Sequence, residues 1–178
     1  MKLMHEFLSA RSTASFRVGA VSLVILAALV YIPSLGNGFV WDDGDNVAQK
    51  ATLTGLHGLQ RVWTDPLANQ QYYPLTHTFF WLGYTIWGLA PLPYHASNIL
   101  LLALSSVFIL AILRRLQAPG ALIAAALFVV HPVNVESVAW VTEFKNLLSG
   151  AFFFSSGLVY LTYSGVGDKL DSGQIRKP

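Results

Sequence analysis

The chain has 178 residues, no cysteine and a formal net charge of +2. Disulfides, thiolate chemistry and Cys-ligated metals are excluded, and the basic residues are too scattered for a nucleic-acid footprint. With 54% hydrophobic residues, only 11% charged and a mean hydropathy of +0.52, the composition is that of a polytopic membrane protein.

Residues 1–17 carry Lys2, Arg11 and Arg17 and read as a cytoplasmic tail. The first apolar run, 18–36 ("VGAVSLVILAALVYIPSLG"), is uncharged and closes on Tyr31 and Pro33, which suit an interface. A cleaved leader ending near Ser34-Leu35-Gly36 is the rival reading, but the run is longer than a usual signal core. An outer loop, 37–95, follows. It opens with "GFVWDDGDN", which sets Asp42, Asp43 and Asp45 almost side by side.

Within that loop, 74–91 ("PLTHTFFWLGYTIWGLAP") is apolar enough to span. Charge placement argues for an interfacial helix instead. If it lies on the surface, Lys2, Arg11, Arg17, Arg114, Arg115, Lys169, Arg176 and Lys177 all fall inside, with only Lys50, Arg61 and Lys145 outside. Its Trp, Tyr and Phe residues also suit the interfacial belt, and Pro74 suits a first helical turn.

Further spans are expected at 96–113, ending on Arg114 and Arg115, and at 147–165. Between them, 117–131 is short but uncharged and must return the chain, so it forms a hairpin with its predecessor. Residues 164–178 read as a polar cytoplasmic tail. The predicted fold is thus an all-α integral membrane protein with about four transmembrane helices and interfacial helices in the first outer loop.

This topology puts Asp42, Asp43, Asp45, Asp65, Glu136 and Glu143 on the outer face. Asp42 and Asp43 are sequence neighbours and point in different directions, so they are not an equivalent pair. The spacing fails the calcium-loop pattern. By spacing alone, a solvated turn at Gly44 is favoured over a site. His77 and His95 read as interface hydrogen-bonders rather than metal ligands, since neither has a ligand partner three or four residues away.

In "HPVNVESVAWVTEFKNLLSG", 131–150, Pro132 ends the preceding helix and a new one begins. Glu136, Trp140, Glu143 and Leu147 then share one helical face at i, i+4, i+7 and i+11. Two readings are equal here. In one, both glutamates are solvated, with Lys145 neutralising one. Equally, the group suits a saccharide: an indole platform, carboxylates for hydroxyls and an ammonium for phosphate.

Taken together, Asp-Asp after the first span, then "YYPLTHTFFWLGYTIWGLAPLPYHASNILL", then "HPVNVESVAWVTEFKNLLSG" resemble the amino-terminal part of the transmembrane-and-tetratricopeptide-repeat (TMTC) protein O-mannosyltransferases and their bacterial relatives, of the GT-C glycosyltransferase class. The resemblance covers about residues 18–163. It implies a partial GT-C fold whose active site faces the periplasm or lumen, the bacterial inner membrane being favoured over the endoplasmic reticulum. It implies a polyprenyl-phosphate sugar as donor, a protein or glycan hydroxyl as acceptor, the bilayer as setting and no nucleic acid.

The same resemblance places Asp42 as general base, with Asp43 orienting it or binding the acceptor. Tyr72, Tyr73 and Trp140 form the walls; His131, Glu136 and Glu143 join the substrate site. The family often has Arg where this chain has Phe144, and Asp or Asn where it has Asn146. That leaves Lys145, or second Arg61, for the leaving phosphate. No cofactor is required, and a divalent metal is possible but not indicated. The family has more spans and 34-residue helical repeats, so the chain is expected to be a fragment, inactive alone.

The alternative is a non-catalytic membrane anchor or interaction module, in which the acids only keep the loop wet. A transporter is weaker still, because no acid, Lys or Arg falls within any proposed span.

Overall fold

The computed structural model describes residues 2–48, 54–69 and 71–166, with the first helix's side chains described from Thr13 onward. The charges expected at Lys2, Arg11, Lys50, Lys169, Arg176 and Lys177 lie outside these, as does most of the tail at 164–178. Every described element is helical: α1 Lys2–Tyr31, α2 Gly55–Thr64, α3 Pro74–Trp87, α4 Pro91–Arg115, α5 Ala121–Val130, α6 Asn134–Ala139 and α7 Phe144–Ser164.

Among the described residues, three stretches are long and apolar enough to cross a membrane: Thr13–Gly36, Pro91–Arg115 and Val141–Ser164. The chain is therefore an all-α membrane protein. α1 runs to Tyr31, and a 3-10 turn from Ile32 to Gly36 follows, with Pro33 in its first positions, where a missing N–H costs nothing. The run at 117–131 yields α5, a ten-residue helix. At 1.5 Å per residue it is about 15 Å long, half of a hydrocarbon core of about 30 Å. The connection from α4 to α5 is a tight turn. α4 ends in a Schellman cap, where Ala118 N–H donates to Leu113 O at 2.9 Å and Gln117 N–H to Arg114 O at 3.0 Å. Gln117 takes the left-handed position at φ 54°, and Pro119 cannot continue the helix.

The run at 74–91 splits. α3 occupies its first 14 residues, Gly88 turns the chain at φ 57°, and Pro91 starts α4.

The chain forms two compact units: Met1–Val30 with Leu100–Pro132 and Gly150–Pro178, and Tyr31–Ile99 with Val133–Ser149. In the first, apolar side chains such as Leu23, Leu102, Leu110 and Val129 are buried. A long-range polar bond there runs from Arg114 Nη2 to Ser15 Oγ, 2.8 Å, with the guanidinium 5.8 Å over the Phe16 ring.

The second unit is built on aromatic rings. Phe79 stacks on Phe144 at 3.8 Å and 7°, and Tyr94 meets Phe39, Phe80 and Trp87 edgewise or tilted. Tyr94 is wholly buried, and its hydroxyl donates to Gly88 O at 2.9 Å. Gly83 makes room for it: a Cβ there would come 2.8 Å from Tyr94 Cε1. α2 and α3 are tied by Trp81 Nε1 to Gly55 O, 2.9 Å, and Trp63 Nε1 to Thr78 Oγ1, 3.0 Å.

Candidate active site

The Asp-rich segment is not a solvated turn. Val40 to Asp43 closes tightly, with Asp43 N–H donating to Val40 O and Val40 N–H to Asp43 Oδ2, both at 3.0 Å. A π-helical turn, Gly44–Ala48, follows. The three acids part company here. Asp45 is exposed, Asp42 is half-buried and Asp43 has no exposed surface.

Asp43 is a structural joint. Its Oδ1 accepts both the Thr142 N–H and the Thr142 hydroxyl, each at 2.7 Å, while Oδ2 holds Val40. Three donors satisfy a carboxylate that would otherwise be very costly to bury. It does not line the cavity beside it.

Asp42 does. Its Oδ1 accepts the Trp140 indole N–H at 3.1 Å and its Oδ2 the Asn46 side-chain amide at 3.1 Å. Asn46 also reaches Asp42 O, at 3.0 Å, one helical turn back. The cavity is about 320 Å³, with Tyr73, Trp140, Glu143 and Lys145 in its walls. Gln71, Thr76, His77 and Phe80 line it too.

The segment 131–150 is not one helix. α6 stops at Ala139, Trp140 is extended (φ −99°, ψ 119°), and a 3-10 turn, Val141–Glu143, leads into α7. The helical spacing of Glu136, Trp140, Glu143 and Leu147 therefore does not define one face. The break is satisfied from far along the chain. Asn98, wholly buried on α4, aims its amide at the carbonyls freed at the break, 3.0 Å from Trp140 O and 3.3 Å from Val138 O.

As a result the two glutamates separate. Glu136 is exposed and lines no part of the cavity. Glu143 is buried, its Oε1 2.6 Å from Lys145 Nζ and its Oε2 accepting the Asn146 amide. Lys145 is thus paired, and its ammonium also stands 5.7 Å over the Trp140 ring. Phe144 packs in the aromatic stack and presents nothing to the cavity.

Tyr72 and His131 do not line the cavity either. Tyr72 donates to Trp63 O at 3.0 Å, tying the loop to α2, and His131 is exposed at the end of α5. Arg61 is spent on Asp65 at 3.1 Å, a pair well exposed on α2. That hydrogen bond, with a second from Leu67 N–H, holds the Asp65 carboxyl below its ordinary range.

Both histidines expected at the interface are buried. His77 Nε2 is 3.2 Å from Gln71 O in the cavity wall. Neither ring nitrogen of His95 has a hydrogen-bond partner among the described residues. No group of three His, Asp or Glu side chains among the described residues is placed to hold a metal.

Of the wall residues, Asn46 and Thr142 left no signal in the spacing.

Fold and site together define a class: an all-helical membrane protein with a tethered carboxylate in the wall of a polar cavity. Its curated homologues are the TMTC protein O-mannosyl-transferases. The chain is 33% identical to protein O-mannosyl-transferase TMTC3 of Mus musculus over 153 residues, 80% of this chain and 17% of that one. It is 30% identical to Tmtc1 of Drosophila melanogaster over 91% of this chain and 20% of the relative, and 32% identical to human TMTC4 over 83% and 22%. The chain spans about a fifth of the length of the curated relatives it matches. No family model and no solved structure matches it.

Proposed function

We propose that this chain carries the base and part of the donor site of a membrane glycosyltransferase. It moves a sugar from a polyprenyl-phosphate donor to a protein hydroxyl on the extracytoplasmic side. The relatives' printed names supply the reaction class, and their animal origin favours the endoplasmic reticulum over a bacterial inner membrane. The observation that carries the reading is Asp42, held by Trp140 and Asn46 in a cavity that also holds Lys145.

Each carboxylate oxygen accepts more than one hydrogen bond. With one site per oxygen occupied, Asp42 retains acceptor capacity for a Ser or Thr hydroxyl. That hydroxyl gives its proton to Asp42 as its oxygen bonds the anomeric carbon. The bond from that carbon to the lipid phosphate breaks, with inversion, and the phosphate leaves with the electron pair. Lys145 has three N–H donors and uses one on Glu143. The others are free to meet developing charge on the phosphate. Glu143 and Asn146 orient that ammonium, and Tyr73 and Trp140 wall the site.

The test is Asp42→Asn in the full-length protein. A general base is worth roughly 10²- to 10⁴-fold, so transfer falls by that factor while insertion and melting temperature hold. Undiminished transfer refutes the assignment of Asp42 as base.

A further inference from the structure

Trp41 is held in a conformation that its side chain disfavours. Its φ is 49°, in the left-handed region, where a bulky L-residue is rare. Yet it gains little burial there, since 80% of its surface is exposed, among the most exposed of the large apolar residues. Glycine or asparagine is the economical choice at such a position. Strain of this kind persists only where surrounding structure imposes it, and it gathers at binding sites.

The tight turn imposes it. The reciprocal bonds between Val40 and Asp43 close the turn around Trp41. Three successive side chains then diverge: Asp43 into the protein, Asp42 to the cavity and Trp41 to the outside. The Trp41 ring meets Trp140 edgewise, at 4.7 Å and 84°. Trp140 in turn lines the cavity and donates to Asp42. The exposed indole therefore stands on the rim of the site, one residue from the proposed base.

Lys145 and Asp42 are both half-buried in the cavity wall, and Trp41, 80% exposed, stands outside them. The donor phosphate belongs at Lys145 and the attacking hydroxyl at Asp42. The rest of the acceptor must then extend outward, across Trp41.

We propose that Trp41 is an acceptor-binding residue, a rigid apolar ledge for the polypeptide flanking the modified Ser or Thr. This rests on the glycosyl-transfer reading above. A Trp offers large contact area with few rotors to freeze, which suits a shallow peptide contact. It takes no part in proton transfer, and it leaves donor binding alone.

The test compares Trp41→Gly with wild type in the full-length protein in nanodiscs. The probes are synthetic polyprenyl-phosphate mannose, a Ser/Thr-containing decapeptide and N-acetyl-threonine amide, which lacks flanking residues. The peptide KM rises roughly tenfold, as for loss of an aromatic anchor. Donor KM and transfer to N-acetyl-threonine amide are unchanged. Melting temperature holds within a few degrees, because glycine relieves the backbone while losing the ring contact. Trp41→Phe restores part of the peptide affinity. Peptide anisotropy in the Asp42→Asn background measures the same loss without turnover, so the ledge is tested even if the wild type transfers no sugar. An unchanged peptide affinity overturns the proposal. So does a rise in donor KM alone, which would give the indole to the sugar, or a collapse in melting temperature, which would make it structural.

Discussion

The two units of the chain are held together by different means. In the unit made of Met1–Val30, Leu100–Pro132 and Gly150–Pro178, apolar side chains fill the interior, and Arg114 reaches Ser15 across the chain. In the unit made of Tyr31–Ile99 and Val133–Ser149, polar side chains join distant segments: Asp42 to Trp140, Asp43 to Thr142, Asn98 to the break at Trp140. The difference follows from what each must fix. Apolar contact is non-directional and tolerates small shifts. A hydrogen bond to a charged group fixes atoms to tenths of an ångström. The proposed role of Asp42 needs the second kind of order.

The sharpest way to break that contrast is at its joint. Asp43→Ala strands the Thr142 and Val40 donors in a buried place, at a cost of about 3 kcal/mol. Thermal unfolding in detergent should show the loss, and transfer should fall with it. If Asp43→Ala melts like wild type, the joint is not what holds the unit. Asn98→Leu comes next. It orphans the carbonyls at the helix break, costing about 2 kcal/mol, and frees Trp140 to rejoin a continuous helix. Transfer should then drop even at temperatures where the variant stays folded, because Asn98 acts on Asp42 only through Trp140. Smallest is Ser15→Ala in the apolar unit. Arg114 keeps its place over Phe16, so the melting temperature should move by no more than about 0.5 kcal/mol allows. A large effect there would mean that polar order governs both units alike.

The sequence shows these regions unequally. Long uncharged runs announce α1, α4 and α7, since crossing hydrocarbon demands length and apolarity and little else. The divergence of Asp42 and Asp43 is legible too, because adjacent residues cannot share a direction. Which of them lines the cavity is not, since Thr142 and Trp140 lie about a hundred positions away. Helical spacing misleads at Glu136, Trp140 and Glu143, where the helix breaks at Trp140 and Asn98 takes up the freed carbonyl. Glu136 and Glu143, equal in pattern, end on opposite sides of the buried–exposed divide. His77 sits in the cavity wall and His95 in the interior, where periodicity offers no way to distinguish either from an interfacial residue.

The bond between Asp43 and Thr142 joins positions 99 apart in the chain. At ribosomal speeds of 5–20 residues per second, roughly 5 to 20 s pass between synthesis of the first and of the second. For that interval the nascent protein carries an ionisable group with no permanent home. The cavity beside Asp43 is thus assembled late, and any factor that escorts the newborn chain has a defined window in which to hold it.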